Sequence, residues 1–192
     1  MSDTKTEKAE STLETWVGLM VVITATFLGI SNVKDNNIVQ KMQQKQVDQN
    51  NNWAWFQARN IRMGVYEAAS EEMSLPSPGE TPELKSRREA MSTKYANMAK
   101  SQEKKMEAQK EAAEQASKDY DDLNAIDDKF DLCDALLALS MALMGVTALI
   151  KRWWLFILAL FPFALGLYIG VAGFAGFDVN IPFLDAIMRI LS

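Results

Sequence analysis

Seven aspartates crowd a short stretch of the chain: Asp119, Asp121, Asp122, Asp127, Asp128, Asp131 and Asp134. Carboxylates at such density are hard oxygen donors, and the chemistry open to them is cation binding. The run "DYDDLNAIDDKF", residues 119–130, resembles a calcium loop in its acidity alone. Its sixth place is Asn124 and its twelfth is Phe130, where an EF-hand needs glycine and glutamate. Two readings remain for the run, a solvated acidic collar or the cation-attracting mouth of a pore. Asp131 and Asp134 are the residues that such a mouth would use, because they open an apolar block. A charge inside hydrocarbon is costly and marks function, whereas one at the boundary simply reaches water.

Other chemistries lack their residues. There is no histidine, hence neither the usual general base nor the commonest metal ligand. Cys133 is the single cysteine, which excludes an intrachain disulfide, and its place in an apolar block suits a small buried hydrophobe. No nucleophile comes with a base, and no glycine-rich phosphate loop is present. The reading is non-enzymatic, with no cofactor and no metal site. A net charge of -5 gives no basic stripe for nucleic acid.

The elements that hold these residues follow from hydropathy. Apolar residues make up 48% of the 192-residue chain and are gathered into three blocks, each near the roughly 20 residues that a bilayer requires. The polar segment 1–14 is expected to be flexible. A first span covers 15–33, with Trp16 at its edge as an interfacial aromatic. "FLGISNVKD" offers a cleavage-site pattern, but the long acidic segment ahead of the span points to an uncleaved anchor. A second span covers 130–150 and a third 153–177. Only Lys151 and Arg152 separate them, so they must be antiparallel neighbours. The third span carries Gly166, Gly170, Gly173 and Gly176, small residues that let helix backbones approach, within a subunit or between subunits. Pro162 is expected to bend this span or widen a packing site. The end, residues 178–192, places Phe183, Leu184, Ile187, Met188 and Leu191 on one side and Asp185 with Arg189 on the other, a short interfacial amphipathic helix.

The segment 34–129 lies between the first two spans. Residues 35–74 lack proline and read as one helix, with Ala54, Ala58, Ile61, Val65 and Ala68 in an amphipathic stripe and Trp53, Phe56 and Asn60 beside it. "LPSPGETP", residues 75–82, is a turn, with Thr81 as N-cap and Pro82 at the first helical position. Residues 83–125 hold one row at steps of four and three: Leu84, Arg88, Met91, Tyr95, Met98, Gln102, Met106, Gln109, Ala113, Ala116, Tyr120 and Leu123. Two consecutive fours around Gln102 form a stutter. So weak a seam needs a partner, and the short turn supplies the preceding helix. The expectation is an antiparallel, coiled-coil-like hairpin with arms of roughly 60 Å at 1.5 Å per residue. Trp53 and Phe56 share a face of it and Trp55 points elsewhere. One partner helix is not expected to cover both tryptophans, so Trp55 packs between subunits, awaits another protein, or is a solvent-exposed aromatic with no role.

"WAWFQARNIR" after an Asn/Gln-rich helix, an acidic entry to the second span, "KRWW" and a glycine-rich third span together resemble the bacterial membrane family called domain of unknown function 4337, over residues 15–177. The resemblance implies the architecture and no catalytic residue.

The fold class is therefore all-α, a membrane protein with three transmembrane helices and a long extramembrane hairpin. The leading function is a structural or scaffolding homo-oligomer of the bacterial inner membrane, in contact with lipid. Its subunits would pack through Trp53, Trp55, Phe56 and Ile61 and through Gly166, Gly170 and Gly173. An ion-conducting pore with Asp131 and Asp134 at its mouth is the alternative, and an accessory subunit bound to another membrane protein is the third reading. Lys5, Lys8, Lys151 and Arg152 place the hairpin outside the cytoplasm, and Lys34, Lys41 and Lys45 pull the other way.

Overall fold

A computed structural model describes the backbone of residues 3–176 and the side chains of residues 11–176. Among these residues there are three helices and no strand: α1 (Asp3–Ser74), α2 (Pro82–Ile150) and α3 (Trp153–Ala175). Each contains a segment long and apolar enough to cross a membrane. The interfacial helix expected at 178–192 lies outside the described residues.

Helix α1 runs through its changes of hydropathy. The polar segment 1–14 joins α1 from Asp3 onward, and α1 continues past residue 34 without interruption. Residues 3–63 hold only two glycines and no proline, so nothing in the chain stops the helix where hydropathy changes. Likewise α2 carries its charged part and its apolar part in one helix of 69 residues.

The chain folds as two units. Unit 1 comprises Met1–Lys41 and Asp122–Ser192, and unit 2 comprises Met42–Asp121.

In unit 1, α1, α2 and α3 meet in two apolar clusters. Leu13 and Val17 pack with Met144, Phe156 and Ala159. Leu132, Cys133, Leu137 and Ile169 form the other, flanked by Phe27 and Leu28. Ser140 donates to the Ala159 carbonyl at 2.8 Å, a bond between α2 and α3 that satisfies a fully buried hydroxyl. Thr24 and Thr147 are also fully buried, and each donates to the carbonyl four residues back. Between α2 and α3, Lys151 takes the left-handed conformation with φ 56°. Its amide donates to the Thr147 carbonyl, and its ammonium lies 2.8 Å from Glu14. Pro162 is buried inside an uninterrupted α3.

In unit 2, residues ascending α1 meet residues descending α2. Lys45 pairs with Asp119 at 2.7 Å, Arg59 donates to Gln102 at 3.3 Å, and Tyr66 stacks on Tyr95. Ser70 and Ser92 each donate to the other's carbonyl at 3.0 Å. Thr81 caps α2 by accepting from the Leu84 amide. On α2 the covered positions follow the row read from the sequence, Arg88 to Leu123, while Leu84 stays 54% exposed.

On α1 the covered face is largely polar. The covered row is Met42, Lys45, Gln49, Asn52, Phe56, Arg59, Met63, Tyr66, Ser70 and Met73, in steps of three and four throughout. The apolar stripe Ala54, Ile61, Val65 and Ala68 faces away and is exposed, and Ala58 is half-buried. The reason lies on α2. Within and beside its row α2 brings Gln102, Ser92 and Asp119 to the contact, and each would lose hydration without a partner against alanine and valine. Ser70, Arg59 and Lys45 supply the partners.

Candidate functional site

Three places in the described chain invite function, and each is described within its own unit.

In unit 1, α1 ends its apolar part with Ser31 and Asp35 one turn apart, and α2 brings Asp127, Asp131 and Asp134 along one face at steps of four and three. Asp35 faces all three of these carboxylates. Asp127 and Asp35 are close enough to share a proton, and Asp127 is pushed up to about 6, first by burial and then by their hydrogen bond and the charge of Asp35. Burial also raises Asp35, and the charges of Asp131 and Asp134 add to this, while the bond from Asp127 opposes it. Asp128 is raised by burial and by Asp127. Asp131 is exposed. Asp134 is half-buried, with one carboxylate oxygen buried and unpartnered. Among the described residues no group of three or more His, Cys, Asp or Glu side chains is arranged to hold a metal ion. The acidic run is also divided, because Asp119 belongs to unit 2 and is neutralised by Lys45. That ammonium and Gln115 hold the Asp119 carboxyl below its usual range.

The shared proton has a thermodynamic consequence. The folded protein binds a proton at Asp127 up to about pH 6, whereas an ordinary aspartate releases it near the model-compound value of 3.8. Stability from this site is therefore complete below the ordinary value, falls as pH rises through the interval, and is gone above about 6. Asp127→Asn keeps a donor to Asp35 and removes the titration. Thermal melts in detergent at pH 4.5, 5.5 and 7 should show a decline with pH for the natural protein that is shallower in the variant, where Asp35 and Asp128 remain raised near this site. Parallel declines in both would refute the shared proton.

Asp35 escaped the sequence reading because a single acid after an apolar block looks like an ordinary boundary charge. Its signal is its place one helical turn from Ser31, at the level where α2 becomes acidic.

The glycines of α3 also lie in unit 1, and of the two packing roles open to them they have the one inside a chain. A Cβ at Gly166 would meet Leu136, Leu137 and the Cys133 carbonyl at 3.1 to 3.2 Å. At Gly170 it would meet Cys133 Sγ and the Phe27 ring at 2.7 Å, and at Gly173 the Phe130 ring at 3.2 Å. All three glycines are buried, each in close approach to α1 or α2 of the same chain.

The third place is the outer side of α1 in unit 2. Trp53 and Phe56 are half-buried and meet edge to face, with ring centres 5.4 Å apart. Trp55 stands on the flank, 51% exposed, with the Arg59 guanidinium 5.8 Å from its ring centre. Ile61 is 69% exposed. The outer side of α2 is different in kind, since its exposed positions include Lys94, Lys100, Glu103, Lys104, Lys105, Glu107, Glu111 and Glu114.

A family model described as domain of unknown function (DUF4337) matches residues 13–176. No curated protein and no solved structure matches the chain.

Proposed function

The chain belongs to the family described as domain of unknown function (DUF4337), and from that premise we propose that it is a non-enzymatic scaffold of the bacterial inner membrane. Unit 1 anchors it through three spans. Unit 2 is a coiled-coil-like hairpin outside the bilayer, on the side away from the cytoplasm, and copies assemble through the hairpin. The observation that carries this reading is the row of large apolar side chains exposed on α1 in unit 2, Trp55 with Val47, Ile61 and Val65. Contiguous apolar surface away from lipid marks an interaction site. The anchor is supported by the other exposed apolar side chains, such as Val22, Ile30, Leu149, Ile157 and Phe161, which suit contact with acyl chains.

The test is the native mass of the purified protein in mild detergent with lipids retained. A closed assembly is expected for the natural protein, and Trp55→Ala should lower its mass or shift it toward monomer. An unchanged mass for the variant would remove Trp55 from the interface, and a monomer for the natural protein would refute the scaffold.

A further inference from the structure

We infer that the outer side of α1 in unit 2 is a second coiled-coil seam, which pairs in parallel and in register with the same row of a second copy. The inference rests on the assembly proposed above and names its geometry.

The row is Val47, Ala54, Ala58, Ile61, Val65 and Ala68, with Asn51 completing its repeat. Its steps of three and four match those of the inner row from Met42 to Met73. At 100° per residue the two rows lie on opposite sides of the helix. When the inner row occupies the core heptad positions, Val47, Ala54, Ile61 and Ala68 fall at the position farthest from the core. A helix with one partner loads that position with charge. The outer side of α2 follows that rule and the outer side of α1 breaks it over about 32 Å, at 1.5 Å per residue.

Charge identifies the occupant. Among the exposed side chains between Gln43 and Ala68, Arg62 and Glu67 are the charged ones, one of each sign. Such a surface offers nothing to an anionic headgroup, and a partner rich in charge would bury its ions unpaired. An identical surface is complementary to it. Gln43, Gln46, Asn50, Asn51 and Gln57 are amides that each carry donors and an acceptor, so a second copy supplies what each one needs. Ala54, Ala58 and Ala68 keep the seam narrow, and Ile61 and Val65 fill it. Copies inserted in one sense in a membrane are related by rotation about its normal, which sets identical rows side by side and parallel.

Disulfide cross-linking in native membranes tests the arrangement, with full-length chains in a Cys133→Ser background and copper phenanthroline as oxidant. Ala54→Cys should form a disulfide-linked dimer with itself, at a yield at least tenfold above that of Glu111→Cys on the exposed side of α2. Linkage of Ala54→Cys only to co-expressed Ala68→Cys would overturn the parallel register. An assembly of natural mass in which Ala54→Cys fails to link would overturn the seam and leave the scaffold standing, whereas a monomer would overturn both. Ile61→Glu, made with Cys133 intact, gives a second readout. Its side chain is exposed within one chain, so its helical content should match that of the natural protein while assembly is lost, and retained assembly would refute the seam.

Discussion

Replacing Arg88 by alanine is expected to destabilise unit 2 by about 3 kcal/mol, the scale of breaking a buried ion pair from one side. Arg88 Nε lies 2.9 Å from Glu80, and both side chains are nearly covered, 13% and 12% exposed. Its Nη1 donates to the Met73 carbonyl at 2.6 Å. That carbonyl is in the last turn of α1, where no amide of the helix follows to satisfy it. One guanidinium therefore holds the turn, the end of α1 and the start of α2 together. Alanine is a good helix former, so the loss reports the contacts and not the helix. Hydrogen exchange should show lost protection in the last turn of α1 and the first turns of α2, and the melting temperature should fall by roughly 6–12 °C for a chain of this size. The double variant Arg88→Met with Glu80→Ala should recover much of the loss, because no lone charge stays covered. A single variant that melts and exchanges like the natural protein would contradict this account of the turn.

The second large effect is expected in unit 1. Gly170→Ala places a methyl group 2.7 Å from both Cys133 Sγ and the Phe27 ring. Neither neighbour is the free end of a flexible chain, since Cys133 is fully buried and Phe27 is packed against its cluster. Overpacking of this kind costs about 1–3 kcal/mol or more, read as a lower melting temperature in detergent. Gly166→Ala and Gly173→Ala should cost less, because their nearest contacts are at 3.1 and 3.2 Å. Gly18→Ala and Gly29→Ala meet nothing within 4 Å and should be neutral or slightly stabilising through helix propensity. Equal effects at Gly170 and Gly29 would show that α3 does not sit against α1 and α2 as described.

These two sites show how far the sequence could be read. Hydrophobic periodicity was a good guide on α2, where methionine, tyrosine and alanine mark the covered row. On α1 it marked the exposed apolar row and was silent on the covered one, which is held by an ion pair and hydrogen bonds through Lys45, Arg59 and Ser70. Pairing of polar groups depends on what the other helix presents, and a pattern within one helix does not contain that information. Arg88 was visible as a row position, but its bond to Glu80 and to Met73 depends on how the turn folds back. The spacing of Gly166 and Gly170 announced close packing, while only the fold shows that Phe27 and Cys133 occupy the space. Asp35 and Asp127 are 92 positions apart and meet through the packing of α1 on α2 in unit 1.

The central claim is that copies of this chain stand together in the membrane they inhabit. Subunit counting by single-molecule photobleaching in intact membranes, at native expression and with one fluorophore per chain, tests it most directly. The account predicts discrete spots with one fixed number of bleaching steps, two or more, and a lower number for Ile61→Glu. Spots that bleach in a single step for the natural protein would contradict it.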